Sequence, residues 1–313
     1  MSANISPGWR LGLGLGLLLG LPLGALLALP LVWQLAPRPG LLRGHLQALP
    51  HQRAASTLPC PGVARVVAIF GQSHAANWIS PPYSGPIPAN LLQFDWKQNR
   101  CAPYREPLLG SDNEAGTLFT PTLVALARRH PNTPLLVASF ARGGSSVLDW
   151  AYGYLARQNE LVLDQLRARS LTPALFLWHQ GEKDAAVAGL SPQALRRVPP
   201  LMLPEPAEFD FGLRQNDAQA ALAQVVRRNL AAAPSAHFGL ALASRCADRP
   251  PDPAIRAAQA AVAAAEPRAF VYADTDRLDG PRWRSDRCHL NQAAAQALAA
   301  PLQSQFEPLL FAP

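Results

Sequence analysis

Five apolar runs of strand length recur along this chain, and they constrain its fold more than any other feature. The runs are "VARVVAIF" (63–70), "PLLVASF" (134–140), "ALFLWHQ" (174–180), "HFGLALAS" (237–244) and "AFVYAD" (269–274). Each is apolar almost throughout rather than alternating, which is typical of strands buried on both faces of a parallel sheet. Such a sheet requires helices on both of its faces.

Helical patterns fill the intervals between these runs. They are "TPTLVALARRH" before the second run, "NELVLDQLRARS" before the third, "NDAQAALAQVVRRNLAAA" before the fourth, "PAIRAAQAAVAAAE" before the fifth, and "LNQAAAQALAAPLQSQF" after it. This alternation predicts an α/β domain, a three-layer α/β/α sandwich around a five-stranded parallel sheet. Two longer, Pro-rich intervals, residues 78–116 and 184–208, leave carboxyl ends of strands. Because open α/β sheets bind ligands there, we expect both intervals to form walls of a substrate cleft.

The N-terminal segment has a different character, because residues 11–35 contain no charged residue. At ~1.5 Å per residue, a helix of this length exceeds a ~30 Å hydrocarbon core. No good small-x-small cleavage site follows it closely. We therefore expect residues 1–36 to form an N-terminal transmembrane helix, as a membrane anchor or uncleaved signal. Residues 37–61 would be a linker, and residues 62–313 the folded domain.

The net charge of +7 is spread along the chain, without a Lys/Arg-rich run or interleaved aromatic residues. Nucleic-acid-binding surfaces concentrate their basic residues on one face or stripe. We therefore expect no nucleic-acid partner, and we expect the membrane to be contacted through the N-terminal helix.

The four cysteines lack the C-x-x-C spacing of a zinc site. Four cysteines allow three pairings, among which sequence alone does not choose. We expect Cys60–Cys101 and Cys246–Cys288 disulfides, formed in an oxidising compartment. The alternative is four reduced, buried thiols.

The flanking charges and the cysteines point to opposite sides of the membrane. Arg10 precedes the apolar segment, whereas Arg38, Arg43 and Arg53 follow it, which favours a cytoplasmic domain under the positive-inside rule. Long domains often translocate despite such charges. We expect a bacterial inner-membrane protein whose domain faces the periplasm or the cell exterior.

Four polar blocks at predicted strand ends carry the candidate chemistry. They are "GQS", "ARGGSSVLDW", "WHQGEKD" and "SDRCHLN". The Ser73 hydroxyl is a poor nucleophile until a base takes its proton, and His289 can serve as that base. Asp286, three residues before His289, can hold the imidazole in the required tautomer. The blocks therefore predict a Ser–His–Asp catalytic triad.

Acyl transfer also requires hydrogen-bond donors for the developing oxyanion. We expect these from the backbone N–H groups of Ser73 and Gly144 and from the Gln180 side-chain amide. Glycine suits this position because it allows close approach of the backbone to a ligand. Gly143 and two acidic residues, Glu182 and Asp184, are expected to support this loop rather than to react.

Structural roles remain open for several of these residues. Ser73 and Asp286 can each cap the helix that follows. His179, next to Trp178, is expected to be a hydrogen-bonded core histidine. The tryptophans are candidates for the core or the cleft wall: Trp150, Trp178 and Trp283.

The four blocks, in this order, resemble the SGNH hydrolase superfamily, and more specifically its sialate O-acetylesterase-like carbohydrate esterases. That family reads G-Q-S-N, G-G-[ST], W-x-Q-G-E-x-D and D-x-x-H. This chain reads "GQSH", "GGSS", "WHQGEKD" and "DRCH". The resemblance extends from Val63 to the C-terminus. The most specific block is "WHQGEKD".

The resemblance implies a flavodoxin-like fold with strand order 2-1-3-4-5, the triad and oxyanion hole described above, and an O-acetyl ester of a sugar as substrate. It implies no metal and no organic cofactor. The family's Asn after the serine is His74 here, so a hydrogen bond made by that Asn is not carried over. His74 is an alternative base, but His289 is favoured because it has a carboxylate nearby in sequence.

The leading functional hypothesis is a membrane-anchored carbohydrate esterase, a carboxylic ester hydrolase acting on acetylated glycans. A polysaccharide O-acetyltransferase using the same triad is the first alternative, since the acyl-enzyme step is common to both. A non-catalytic glycan-binding protein is the second.

Overall fold

A computed structural model describes residues 57–185, 213–247 and 249–311. Seven strands form one sheet in the order β3-β2-β4-β1-β5-β6-β7. The strands are β1 (Arg65–Gly71), β2 (Leu91–Asp95), β3 (Arg100–Pro103), β4 (Leu135–Ala141), β5 (Pro173–His179), β6 (His237–Leu242) and β7 (Ala269–Asp274). Every neighbouring pair is parallel except β2 and β3, which are antiparallel.

Six α-helices and two short 3-10 segments are described with the sheet. The helices are α1 (Thr120–Arg129), α2 (Val147–Tyr152), α3 (Tyr154–Arg167), α4 (Gln215–Ala232), α5 (Pro253–Ala265) and α6 (Gln292–Phe311). The 3-10 segments are Ser73–Ala75, directly after β1, and Thr275–Arg277, directly after β7. Helices occur at all five predicted positions. The short helix α2, which follows the glycine turn, was not predicted.

The five predicted strands are β1, β4, β5, β6 and β7, and their order in the sheet is the expected 2-1-3-4-5. The predicted strand number was wrong, because the hairpin β2–β3 extends the sheet beyond β4. This hairpin lies within residues 78–116, which were predicted to be a loop. Its outer strand has the sequence "RCAP", with a charge and a proline that suit only an edge position. It therefore lacks the apolar run by which the other strands were recognised.

Both faces of the sheet are buried, as the continuous apolar runs predicted. On β1, Val66, Ala68 and Phe70 belong to one hydrophobic cluster, and Val67 and Ile69 to the other. Side chains of α2, α3 and α4 complete the first cluster, and side chains of α1 and α6 complete the second. The domain therefore has three layers, with the sheet in the middle.

The two expected disulfides are confirmed. Cys60–Cys101 joins the segment before β1 to β3, and Leu58 pairs with Cys101 through its backbone, with an N···O distance of 2.8 Å. Leu58 and Cys60 were assigned to the linker, but they contact the sheet. Cys246–Cys288 joins the segment after β6 to the segment before α6.

Within residues 57–185, 213–247 and 249–311, no helix combines the length and the apolar character needed to cross a membrane. The predicted transmembrane helix at residues 11–35 lies outside these ranges, as does most of the second predicted cleft wall.

Candidate active site

The turn after β1 carries Ser73, and its position depends on a close approach between β1 and β5. Gly71 has φ +137°, and a Cβ there would lie 2.2 Å from the His179 carbonyl oxygen. Only glycine fits such a conformation and such a contact. The Gln72 N–H then donates to that carbonyl at 2.9 Å. This contact places the nucleophile turn, residues 72–76, against the end of β5.

Ser73 is the first residue of the 3-10 segment and is 3% exposed. The cap position of that segment is held by Gln72, and no side chain caps it. The alternative that Ser73 serves as a helix cap is therefore wrong. The Ser73 hydroxyl has no hydrogen-bond partner among the residues that the structure describes.

His289 and Asp286 form a hydrogen-bonded pair on the base loop, residues 278–291, which leads into α6. Nδ1 of His289 lies 2.8 Å from Oδ2 of Asp286. Oδ1 of Asp286 accepts the backbone N–H groups of Cys288 and His289 at 2.7 and 2.6 Å. Partial burial would raise the pKa of Asp286, but the bonds from His289 and Cys288 outweigh it and hold that pKa at about 2. With Nδ1 engaged, Nε2 is the ring nitrogen that His289 has for proton transfer.

Asp286 was also considered as a cap for the last helix, and this alternative is wrong. The α6 helix begins at Gln292, and Oδ1 of Asn291 accepts the Ala294 N–H at 3.1 Å. The first turn of α6 is therefore capped by Asn291, and both oxygens of Asp286 serve the base loop.

The nucleophile turn and the base loop meet through the residues that follow Ser73 and His289 in sequence. The Leu290 N–H donates to Nε2 of His74 at 2.9 Å, across 216 positions of the chain. The rings of His74 and His289 have centroids 5.6 Å apart. The described residues show no hydrogen bond between Ser73 and His289, although such bonds often tighten only when substrate binds. The fold thus brings the Ser73 hydroxyl and the His289 imidazole to the carboxyl ends of the parallel strands.

His74 does not have a free nitrogen with which to act as the base. Its Nδ1 lies 2.6 Å from Oε1 of Glu182, and its Nε2 accepts from Leu290. Burial lowers the pKa of His74 to about 4, against the opposing effect of Glu182. His74 is therefore a neutral, doubly hydrogen-bonded side chain at neutral pH.

Glu182 and His179 complete a buried polar cluster beneath His74. Burial would raise the pKa of Glu182, but contacts with His74 and His179 outweigh it and hold that pKa well below its ordinary range. His179 is fully buried and contacts the hydroxyl of Tyr272 at 3.0 Å and that of Thr275 at 3.3 Å. The expectation of a hydrogen-bonded core histidine is thus confirmed, and Glu182 supports the nucleophile turn through His74.

The glycine turn after β4 presents a candidate oxyanion donor. The Gly143 N–H donates to Oδ2 of Asp112 at 2.7 Å, so this group is already engaged. Gly144 has φ +65°, and nothing lies within 4 Å of a Cβ built there. In the part of the chain that the structure describes, neither the Ser73 N–H nor the Gly144 N–H has an acceptor. These two groups can therefore receive an oxyanion.

Gln180 does not share this role in the observed arrangement. Its Nε2 donates to the Ser145 carbonyl at 3.2 Å and to Oδ2 of Asp184 at 2.5 Å. Both amide hydrogens are used, so the expected third oxyanion donor is not available. The same oxygen of Asp184 accepts the Val147 N–H at 2.8 Å, and burial raises the pKa of Asp184 to about 6. Gln180 and Asp184 hold the start of α2 in place.

Trp78 and Asp112 are two residues of the site that the sequence did not single out. The Trp78 ring stacks on His289, with centroids 4.5 Å apart and planes 21° apart. Its Nε1 donates to Oδ1 of Asp112 at 3.3 Å, and burial raises the pKa of Asp112. Trp78 lies five positions after Ser73, but no sequence pattern marks it as a residue of the site. Of the three tryptophans considered, Trp150 and Trp178 are fully buried core residues.

Comparison with known proteins supports the fold rather than a family assignment. No protein-family profile matches the chain, and no curated protein matches it in sequence. A protein from Arabidopsis thaliana is similar in structure with a TM-score of 0.59 and 14% identity, over 79% of this chain and 99% of that one. A carbohydrate acetylesterase from Xanthomonas citri is similar with a TM-score of 0.50 and 14% identity, over 80% of this chain and 57% of that one. This chain thus spans little more than half of that enzyme's length, and the likeness establishes a common α/β fold.

Proposed function

We propose that this protein is a serine esterase that removes O-acetyl groups from a carbohydrate. The observation that carries the proposal is the His289–Asp286 pair, which leaves Nε2 of His289 available on a loop hydrogen-bonded to the turn that carries Ser73. The fold common to this chain and the carbohydrate acetylesterase adds support. The sugar ester as substrate rests on this likeness and on the four sequence blocks.

In the acylation step, Nε2 of His289 takes the proton of Ser73 as Oγ forms a bond to the acetyl carbonyl carbon. The carbonyl oxygen becomes an oxyanion, which the N–H groups of Ser73 and Gly144 stabilise. Asp286 stabilises the imidazolium through its bond to Nδ1. When the tetrahedral intermediate collapses, the sugar oxygen leaves and receives the proton from Nε2, and the acetyl group remains on Ser73.

In the deacylation step, His289 removes a proton from water, and the resulting hydroxide equivalent attacks the acetyl-serine carbonyl carbon. The same two N–H groups hold the second oxyanion. The bond to Oγ breaks, Oγ recovers the proton from Nε2, and acetic acid is released, which then loses its proton to water. Serine and histidine are thereby returned to their starting protonation states.

We further propose that the activity is exported and membrane-anchored. Two disulfides in the described residues suit an oxidising compartment. The apolar segment at residues 11–35 would provide the anchor.

Replacement of Ser73 or His289 by Ala tests the mechanism. We expect hydrolysis of a small aryl acetate by the full-length protein to fall at least ~100-fold in either variant, since each residue is needed for nucleophile activation. Ser235→Ala is the matched control. Ser235 is exposed and lies just before the amino-terminal end of β6, whereas the candidate site lies at the carboxyl ends of the strands. Unchanged hydrolysis in Ser73→Ala would refute the proposal.

A serine-reactive phosphonate provides an independent readout. We expect mass spectrometry to find the adduct on Ser73, and an adduct on another serine would contradict the assignment. Release of the phenol that depends on an added glycan acceptor, with the acetyl group recovered on the glycan instead of as acetate, would support acetyl transfer.

A further inference from the structure

We propose that His74 is a positioning residue, whose imidazole holds the base loop against the nucleophile turn and so fixes His289 relative to Ser73. This inference rests on the proposed esterase function. His74 follows Ser73 directly, and its partner Leu290 follows His289 directly. One hydrogen bond, from the backbone of the base loop to a side chain of the nucleophile turn, therefore joins the two halves of the candidate triad.

The contact with His74 fixes the base loop on one side of His289. The Leu290 N–H donates to Nε2 of His74 at 2.9 Å, and both residues are at most 1% exposed. On the other side, the Asp286 carboxylate accepts the N–H groups of Cys288 and His289. The backbone of His289 is thus held from both directions, and its ring is oriented by the Nδ1 contact with Asp286.

Only one protonation state of His74 satisfies both of its contacts. Because Nε2 accepts the Leu290 N–H, that nitrogen carries no proton. The proton is then on Nδ1, which donates to Oε1 of Glu182 at 2.6 Å. Glu182 therefore selects the tautomer that can bind Leu290. Burial, which lowers the pKa of His74 to about 4, keeps the ring neutral and preserves the acceptor.

The length of the histidine side chain is essential to this arrangement. The related sequence pattern has Asn at this position. The outer atoms of an Asn side chain end at about the place of Nδ1, so Asn can reach Glu182 but not Leu290. Gln has the opposite property, since its carbonyl oxygen can occupy the place of Nε2 and accept the Leu290 N–H. The two substitutions therefore separate the two hydrogen bonds of His74.

A buried metal site is the competing interpretation of the same cluster. His74, His179 and Glu182 each offer a ligand atom, and these atoms lie within 4.8 Å of one another. A metal on Nδ1 of His74 would displace its proton and leave the neutral ring with a proton on Nε2. That proton would face the Leu290 N–H, so two donors would oppose each other. The observed bond favours the positioning role.

The kinetic test compares His74→Asn with His74→Gln in the full-length protein. We expect His74→Asn to lower kcat for an aryl acetate by roughly 10- to 100-fold with little change in KM, because a displaced base loses the productive geometry. His74→Gln should retain kcat within about 5-fold, because it restores the acceptor for Leu290. The matched control, His130→Asn, should leave kcat unchanged, because His130 lies at the end of α1, before β4 and away from the site.

Equal kcat values for the two variants, or a higher value for His74→Asn, would overturn the proposal. Loss of activity in Ser73→Ala alongside equal kcat values would overturn this inference while leaving the esterase in place. Full activity in Ser73→Ala would remove the proposed function itself.

A measurement on the wild-type protein keeps the test decisive if a variant does not fold. We expect the ¹⁵N NMR shifts of His74 to show a protonated Nδ1 and an unprotonated Nε2 at pH 7. The opposite tautomer would overturn the proposal. So would one equivalent of tightly bound zinc whose removal changes the His74 shifts.

Discussion

Trp78 lies against the imidazole that is proposed to carry the proton. Its ring is stacked on His289 at 4.5 Å and is oriented by the hydrogen bond from Nε1 to Asp112. Asp112 also accepts the Gly143 N–H, so one carboxylate fixes both this indole and the glycine turn. An indole face attracts a cation that lies over it. Trp78 is therefore placed to favour the imidazolium that the proposed mechanism forms at each proton transfer.

Substitution of Trp78 by Leu should lower the rate of aryl acetate hydrolysis. Loss of an aromatic face beside a cation removes about 0.5–2 kcal/mol, which corresponds to roughly 2- to 30-fold in kcat. Trp78→Phe keeps a stacked ring and loses only the bond to Asp112, so it should fall between the wild type and Trp78→Leu. Wild-type kcat in Trp78→Leu would show that the stacking has no part in the reaction.

The position of the His289 ring depends on the backbone of the base loop. Besides the contacts of Asp286 and His74, a buried arginine and a disulfide fix this backbone. The buried Arg284 guanidinium donates to the carbonyl oxygens of Leu278 at 2.8 Å, Thr275 at 3.2 Å and Cys288. The Cys246–Cys288 disulfide then joins this loop to the segment after β6, one position before His289. The backbone of the loop pairs with itself only at the Arg284–Leu290 bridge and in a turn at Gly280, so side chains supply much of what fixes its position.

Removal of the two disulfides, one at a time, should separate stability from catalysis. The bridges close segments of nearly equal length, with sequence separations of 41 and 42, so each should contribute about 4 kcal/mol to the free energy of unfolding. We expect similar losses of thermal stability in Cys60→Ser/Cys101→Ser and Cys246→Ser/Cys288→Ser.

Only the second double variant should lose kcat, measured below both melting temperatures, because only Cys288 lies in the base loop. Equal kcat losses in the two variants would contradict a specific role for the loop.

Across the whole molecule, the sheet brings ionisable side chains from distant parts of the chain into a buried layer below the site. Asp184 is the clearest case, with a pKa raised from 3.8 to about 6 by burial. A folded protein that binds a proton more tightly than its unfolded chain is most stable where that proton is bound. The contribution of Asp184 is therefore fully present below about pH 4 and is lost as the pH rises through about 6.

Asp184→Asn should remove this pH dependence. We expect the free energy of unfolding of the variant, relative to the wild type, to increase by up to about 3 kcal/mol between pH 4 and pH 7. The opposite dependence due to Glu182 is common to both proteins and cancels in the comparison. Denaturant titrations at several pH values measure the difference, and a difference that does not vary with pH would contradict the assignment.

Local sequence patterns were enough to predict the layers of the fold and the position of the polar blocks. Continuous apolar runs identified five strands buried on both faces, and their alternation with helices gave the layers and placed the polar blocks at one edge. The D-x-x-H contact between Asp286 and His289 also followed from position in the chain, whereas the expected disulfide pairing was one of three that the sequence allowed.

Which polar atoms meet depends on how distant segments pack against one another. The tertiary structure added the edge hairpin, whose short strands carry no apolar run, and it turned the Gln180 amide toward Asp184. It also stacked Trp78 on His289 and linked His74 to Leu290 across 216 positions. Hydrophobic periodicity reports which face of an element is buried, whereas a hydrogen bond depends on donor and acceptor geometry that distant segments fix together only when the sheet has formed.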